Sequence, residues 1–501
     1  VNALRFLAPL KKRIVSRLKR HDGFDRKDRL IQKGISSRTS AFTGPRVLEI
    51  DLTERCANRC LACWVHSPLL SPKPPSETPA SIELTDLLGW IPEFRRLEIE
   101  TIQIAGAGEP LCHPDFRGIV RALKKGGFCV HLITSLYPLS PGLARFLVEC
   151  GVDRLTASIW AGDRATWSAV HPGIDDGAFS AIERFLSELR AEKTAARTAL
   201  PRLRLFQVIL RENHENLETM ADFGIRHFAD EMEFQVMDPV PGVTDSLKIT
   251  PRTLERIVRQ VDNLRSRPDF TGEFIGPGNR LETASHDPSQ EQKEFGRFYH
   301  PFPPSFRLEE DRRVTCPRGM KSVKRAWTHD HPHPAFSYEF SNECCASCAE
   351  RRSCYPSPRA LPAGATFMNL TGIGSFLRRA RAQAEGIPAE SGLCRTLPCT
   401  AGWYYGRILS DARFIPCCKA SGLSTGSLKK ERLGDIWFGE SQRRFRIHCL
   451  TRPKTDPFFA PIQCMKGCDN LGSNLDMIRR GLVPVRDITE WNENCLKEME
   501  R

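Results

Sequence analysis

The stretch "RVLEIDLTERCANRCLACWVHS", residues 46–67, decides how the chain is read. Its first half is a short, mostly apolar run of the kind that forms a buried strand. Its second half places Cys56, Cys60 and Cys63 within eight positions, in the spacing C-x3-C-x2-C. With 19 cysteines among 501 residues, that spacing arises by chance about 0.03 times per chain, so it is a signal. A structural zinc normally takes four protein ligands. The next cysteine, Cys112, lies about fifty residues on, which leaves His66 as the nearby fourth ligand of a zinc reading. Three thiolates holding a cube of four irons instead leave one iron without a protein ligand, open to a small molecule.

The surrounding totals bound the class. At about 150 residues per domain, 501 residues imply two to four domains. A formal charge of +13, from 73 basic and 60 acidic side chains, attracts anions such as nucleotides, phosphorylated sugars or acidic lipid surfaces. Hydrophobic content of 40% with 27% charged residues is ordinary for a soluble protein, and no run of about 18 apolar residues occurs. The opening "VNALRFLAPLKKRIVSRLKR" runs apolar and then basic, the reverse of a secretory signal, which argues for a cytoplasmic protein. Residues 1–30 carry ten Lys or Arg and three Asp, with Leu4, Phe6, Leu7, Leu10, Ile14 and Leu18 at helical spacing. Such a helix either rests on an acidic membrane or partner, or docks on its own protein.

An odd number of cysteines rules out a complete set of internal disulfides, and without an export signal clustered cysteines read as metal or iron–sulfur ligands. They fall in three groups: 56/60/63, then 316/344/345/348/354, then 394/399/417/418/464/468. Cys112, Cys129, Cys150, Cys449 and Cys495 are scattered and read as small core residues.

From residue 46 to about 245, short apolar runs alternate with amphipathic stretches, the pattern of βα units around a parallel sheet. The runs "RVLEIDLT", "TIQIAGAG", "FCVHLITSL", "DRLTASIWA", "LRLFQVIL" and "EMEFQVM" are the predicted strands. Six units make an α/β partial (βα)6 barrel, whose chemistry belongs at the carboxyl ends of the strands. The division expected is a basic amphipathic segment over 1–45 and a barrel over 46–260. A linker or insertion with the middle cysteines follows over 261–390, then a cysteine-rich domain over 391–501.

The C-x3-C-x2-C loop after the first strand resembles that of the radical S-adenosylmethionine (radical SAM) enzymes, which are built on a partial TIM-like (βα)6 barrel. "IAGAGEP" after the second strand is similar to the family's Gly-Gly-Glu-Pro element, here Gly106, Gly108, Glu109 and Pro110. Small residues there let a backbone approach the methionine part of the cofactor. Thr134, Ser135, Ser158, Val208 and Asn213 fall at further strand ends where the family contacts the cofactor; the polar ones read equally as caps or turn residues. One departure is Ala62, where the family usually has an aromatic residue against the adenine; Trp64 follows two residues later. The resemblance implies a [4Fe-4S] cluster on Cys56, Cys60 and Cys63. Its electron cleaves bound S-adenosylmethionine, and the resulting 5′-deoxyadenosyl radical takes a hydrogen atom from substrate.

The C-terminal part resembles the SPASM and twitch auxiliary-cluster domains. The segment from Cys399 to Cys417 has Ala412 in place of the usual Gly, Leu433 to Trp437 match a characteristic helix, and Cys464 and Cys468 complete a four-thiolate set. This implies an auxiliary [4Fe-4S] cluster on Cys399, Cys417, Cys464 and Cys468, with Cys394 and Cys418 as alternates. Cys345, Cys348 and Cys354, with Cys316 upstream, could hold a second auxiliary cluster or zinc. His329, His331 and His333 read as loop residues.

The expectation is therefore a radical SAM enzyme acting on a small molecule or sugar by dehydrogenation or epimerisation, served by an electron donor such as flavodoxin or ferredoxin. Only about 45 residues precede the first strand, too few for the leader-binding domain of many peptide maturases. A peptide-modifying maturase of the ribosomal-peptide or sulfatase type is the alternative. A basic iron–sulfur or zinc protein that binds nucleic acid is a third reading; it leaves Gly106 to Pro110 without a purpose, and no nucleic-acid partner is expected.

Overall fold

The computed structural model describes residues 25–70, 79–175, 177–266 and 398–462. It also describes 297–299, 307–308, 314–316, 318–321, 324–328, 335–339, 369–371, 373–386, 464, 468, 470, 473–474, 477–478 and 481–483. The expectations for Leu4 to Leu18, for Cys344, Cys345, Cys348, Cys354, Cys394 and Cys495, and for His329, His331 and His333 lie outside the described residues.

All six predicted runs are strands: β1 Val47–Asp51, β2 Thr101–Ala105, β3 Cys129–Thr134, β4 Arg154–Ser158, β5 Arg202–Ile209 and β6 Glu231–Val236. They lie side by side in sequence order and every adjacent pair is parallel. An order without reversal marks a singly wound barrel; a doubly wound sheet would switch direction partway. The helices are α1 Arg26–Ser37, α2 Leu84–Arg96, α3 Phe116–Lys125, α4 Leu143–Glu149, α5 Arg164–Val170, α6 Gly177–Ala195, α7 Leu217–Arg226 and α8 Pro251–Ser266. Two of them, α5 and α6, fill the crossover between β4 and β5, where a simple unit has one.

The period of two in each strand divides its side chains between two environments. Leu48, Ile50, Ile102, Ile104, Val130, Leu132, Leu155, Ala157, Leu203, Leu205, Met232 and Phe234 join the core under the helices. Each such side chain contributes about 1.5–3 kcal/mol when fully buried. The opposite face lines a lumen that is polar rather than apolar. There Gln103 Nε2 donates to Glu49 Oε2 at 2.6 Å, His131 Nε2 meets Thr156 Oγ1 at 2.8 Å, and Arg204 Nη1 donates to Glu233 Oε2 at 2.8 Å.

Both ends of the six strands are extended. At the β6 edge, the chain first passes through the short strands β7 Arg297–Tyr299, β8 Arg307–Leu308, β9 Val314–Thr315, β10 Lys324–Thr328 and β11 Ala335–Glu339, which form two separate small antiparallel sheets. They precede β12 Asn369–Thr371, which pairs in parallel with β6, and α9 Ile373–Ala384. On the other side, after α10 Ala401–Tyr404, β13 Tyr405–Ile408 pairs in parallel with β1, Val47 facing Tyr405 and Ile50 facing Ile408. β14 Arg413–Ile415 and β15 Gly426–Ser427 continue it antiparallel, giving ten strands in one sheet. The C-terminal part therefore shares the barrel's sheet. Charge reinforces the seam: Arg407 Nε and Nη2 donate to the two oxygens of Asp51 at 2.8 and 2.9 Å, and Tyr405 Oη donates to Glu49 Oε2 at 2.8 Å.

The predicted helix at Leu433 is present as α11 Leu433–Phe438, followed by α12 Glu440–Thr451. Ala412, standing where the related domains carry Gly, has φ +67° in the turn between β13 and β14. That left-handed conformation costs an alanine about 1–2 kcal/mol. Burial of its methyl group, worth about 0.8 kcal/mol, and the smaller unfolded-state entropy of alanine, worth about 0.4–1 kcal/mol, offset most of it. Below the barrel, Arg46 is buried against Asp28 at 2.8 Å, Asp25 at 3.1 Å and Glu100 at 2.7 Å, which pins α1 to the base of β1. Trp403 Nε1 donates to Ser40 O at 2.9 Å, so the region after α1 also docks on the C-terminal part. Among the described residues no helix is long and apolar enough to cross a membrane.

Candidate functional site

The loop after β1 carries Cys56, Cys60 and Cys63 at the carboxyl end of the sheet, and the loops after all five other barrel strands touch it. From β2, Glu109 N donates to Arg55 O at 2.8 Å. From β3, the Ser135 hydroxyl accepts from Asn58 Nδ2. From β4, β5 and β6, Trp160, Leu210 and Met237 pack around Ala62, with Cys60 and Val208 at the edge of the cluster. Trp64 Nε1 donates to Asp238 O at 2.8 Å, and the Lys419 ammonium lies 5.0 Å from the Trp64 ring centroid. A side chain from the C-terminal part thus closes over the cysteine loop.

The glycines expected beside the cofactor have a nearer reason to be small. A Cβ on Gly106, whose φ is +136°, would lie 2.8 Å from Asp51 Cα, and one on Gly108 would lie 2.4 Å from Arg55 O and 2.5 Å from Thr53 O. Both let β2 press against the end of β1, and they set the height at which the cysteine loop starts. Glu109 is buried and accepts from Thr134 Oγ1 at 2.5 Å, Ser135 Oγ at 2.6 Å, Ser135 N at 2.8 Å and Leu111 N at 3.1 Å. Burial pushes its carboxyl above the usual range, against the pull of those hydrogen bonds. Pro110 begins the short 3-10 turn Pro110–Cys112 that Glu109 caps. Thr134 and Ser135 are therefore braced by Glu109, and Ser135 passes that brace to Asn58 in the cysteine loop.

The remaining strand-end residues are also engaged within the protein. Ser158 Oγ accepts from Trp160 Nε1 at 2.8 Å. Asn213 is buried and staples two loops, its Nδ2 donating to Trp160 O and Val208 O at 2.9 Å while its Oδ1 accepts from Leu210 N at 2.9 Å. Trp160, with φ +62°, fills space around Ala62 and is an aromatic residue that the sequence reading had not connected with that position.

The donor set of the first site suits a metal cluster. Burial pushes the Cys56 thiol up to about 12 and raises that of Cys60 well above the ordinary thiol value, so neither ionises readily unaided and a bound metal would displace their protons. Val65 N and His66 N already donate to Cys63 Sγ at 3.4 and 3.2 Å. His66 Nε2 is taken by Ala107 O at 3.0 Å, and among the described residues no three His, Cys, Asp or Glu side chains close on a single-ion site.

The second thiol set lies on the other side of the β1–β13 seam. Cys399, Cys417, Cys464 and Cys468 line one cavity, as expected, together with Cys449, Lys454, Asn470 and Asn474. Cys418 adjoins them, Asn470 Nδ2 lying 3.4 Å from its sulfur and 3.7 Å from that of Cys417; Asn474 Nδ2 is 3.8 Å from Cys399 Sγ. Cys449 is a buried core residue, as its sequence position suggests, packed with Phe445, Phe459 and Ile462. It also lines this cavity, and its thiol bonded to Cys399 holds Cys399 down to about 6. Burial pushes Cys449 itself up. Lys454 is buried beside these sulfurs, and against its desolvation the negative charge of Cys449, Cys399, Cys464 and Cys468 raises its pKa. Amide donors and an ammonium facing clustered thiols suit an anionic iron–sulfur group. Cys316 lies in the turn after β9, where its N–H donates to Met320 O at 2.9 Å; its expected partners Cys345, Cys348 and Cys354 are outside the described residues.

Comparison with known proteins agrees with this geometry. The Radical SAM superfamily profile matches residues 50–228, and the SPASM iron–sulfur cluster-binding domain profile matches residues 399–469. The chain is similar to the tungsten-containing aldehyde ferredoxin oxidoreductase cofactor-modifying protein of Pyrococcus furiosus, with 24% identity over 218 residues, 42% of this chain and 55% of that protein. It is similar to the PqqA peptide cyclase of Streptomyces rochei, with 28% identity over 193 residues, 38% of this chain and 48% of that one. The chain thus spans about half the length of the curated relatives it matches. Among solved structures, Streptococcus suis SuiB bound to S-adenosylmethionine aligns with 13% identity and a TM-score of 0.46, over 85% of this chain and 73% of that one. The chain therefore carries a Radical SAM superfamily domain over residues 50–228, the class of domain that works with a [4Fe-4S] cluster and S-adenosylmethionine, and a SPASM iron–sulfur cluster-binding domain over residues 399–469.

Proposed function

We propose that Cys56, Cys60 and Cys63 hold the S-adenosylmethionine-binding cluster, and that Cys399, Cys417, Cys464 and Cys468 hold an auxiliary [4Fe-4S] cluster. The substrate proposed is a small polar molecule or sugar, modified by dehydrogenation or epimerisation. The observation that carries this reading is the convergence of the five other strand-end loops on the three-cysteine loop above a polar lumen. The bound cluster and cofactor supply one-electron C–S cleavage and a radical that abstracts hydrogen. The chain's own residues position and exclude. Glu109, Ser135 and Asn58 brace the cysteine loop, and Gly106 and Gly108 set its height. Trp160, Leu210 and Met237 keep water from the Ala62 side. The lumen side chains of β1, β2, β4 and β5 offer hydrogen bonds to a hydroxylated substrate. An electron donor such as flavodoxin or ferredoxin, and a cytoplasmic location, belong to the same proposal.

A peptide substrate is the second reading, favoured by the similarity to a relative named for cyclising a peptide. The reading is tested by anaerobic reconstitution with iron and sulfide, addition of dithionite and S-adenosylmethionine, and quantification of 5′-deoxyadenosine. Wild type forms it and Cys60→Ala does not. Equal amounts from both proteins sink the assignment of the first site.

A further inference from the structure

We propose that Lys454 is a positioning residue for the auxiliary cluster, its buried positive charge setting the potential at which that cluster accepts an electron. This rests on the reading that Cys399, Cys417, Cys464 and Cys468 hold iron.

Lys454 lies just beyond the end of α12 and is 6% exposed. Its Nζ donates to Cys449 O at 3.2 Å and lies 4.5 Å from the centroid of the Phe459 ring. Burying an ammonium costs several kcal/mol unless other charges offset it. Here the side chain lines the same cavity as Cys399, Cys417, Cys464 and Cys468. One-electron reduction adds a negative charge to the group those thiolates hold. A fixed cation nearby stabilises the reduced state more than the oxidised one, and the apolar lining of Phe445, Phe459 and Ile462 weakens the screening. Cys449 completes the arrangement, since its carbonyl anchors the ammonium while its thiol bonds to Cys399. The electron comes from the reductant in solution, no bond is made or broken, and Lys454 stays protonated throughout.

The test uses the full chain with Cys56, Cys60 and Cys63 changed to Ala, reconstituted anaerobically and titrated under electron paramagnetic resonance. The auxiliary signal is the one that Cys417→Ala abolishes. Lys454→Met should shift its midpoint to lower potential, and Lys454→Arg, which keeps the charge, should stay near the parent. If Lys454→Met loses iron, the midpoint is read on Lys454→Gln, and a value unchanged from the parent overturns the proposal. An unchanged midpoint in Lys454→Met at full iron overturns it, as do equal shifts or equal iron loss in both variants. If the parent has no signal that depends on Cys417, the assignment of the auxiliary cluster itself has failed, whatever Lys454 does.

Discussion

Gly108→Ala places one methyl group where β2 meets the cysteine loop. The new Cβ would sit 2.4 Å from Arg55 O, 2.5 Å from Thr53 O and 2.7 Å from Glu54 C, all backbone atoms that cannot rotate away. Relief needs a shift of at least about 0.6 Å between the two segments, and overpacking of this kind costs about 1–3 kcal/mol. The same shift stretches the 2.8 Å bond from Glu109 N to Arg55 O, adding about 1 kcal/mol. A total of about 2–4 kcal/mol is expected, read as a lower urea midpoint of the apoprotein. Because the displaced backbone leads directly into Cys56, the iron bound at the first site should fall as well. Gly89→Ala is the control. It lies in α2 with nothing within 4 Å of the added Cβ, so it should raise stability by up to about 1 kcal/mol and leave iron unchanged. A Gly108→Ala protein with the parent's midpoint and iron content would refute the view that this glycine sets the height of the loop.

Arg407→Met leaves Asp51 and Glu49 buried without their cation and should cost about 3–5 kcal/mol, part of it recovered by Asp51→Asn in the same chain; urea unfolding of the apoproteins measures both. His171 is buried and its pKa is depressed to about 4 by desolvation, so its folded form is neutral and the unfolded chain binds the proton more readily. The stability this confers is complete above pH 6.5 and is lost as pH falls toward 4, about 3 kcal/mol in all, and apo His171→Gln should show a shallower decline over that window. Ala412→Gly should change stability by less than about 1 kcal/mol, since relieved strain and lost burial nearly cancel. A gain of 2 kcal/mol or more in thermal or urea unfolding would contradict that balance.

The barrel was legible because each strand is a short apolar run ending at a turn, and the three cysteines mark which end of the sheet carries chemistry. What could not be read came from contacts distant in sequence. Nothing in "YGRI" announces that it will pair with Val47–Ile50, some 350 residues earlier. Cys449 reads as a core residue and is one, but its place in the cavity beside Cys399 and Cys417 depends on the return of α12. Lys454 gave no signal at all, since an isolated lysine in "TRPKTDP" reads as surface. Ser158 and Asn213 show the opposite case: their positions at strand ends were found, but their polar atoms are committed to Trp160 and to loop backbone.

The parallel pairing of β13 with β1 bears on how separable the two halves of this chain are. Without β13, β1 would present a bare edge of unpaired backbone groups, a template for aggregation. Glu49 and Asp51 would also face solvent-poor space without Arg407 or Tyr405. The seam makes the cysteine-rich half a structural part of the barrel wall rather than a detachable accessory. The cysteine loop after β1 and the thiols beyond β13 are then tied together through hydrogen-bonded neighbouring strands. Loss of either half should bring down the other in a single cooperative transition.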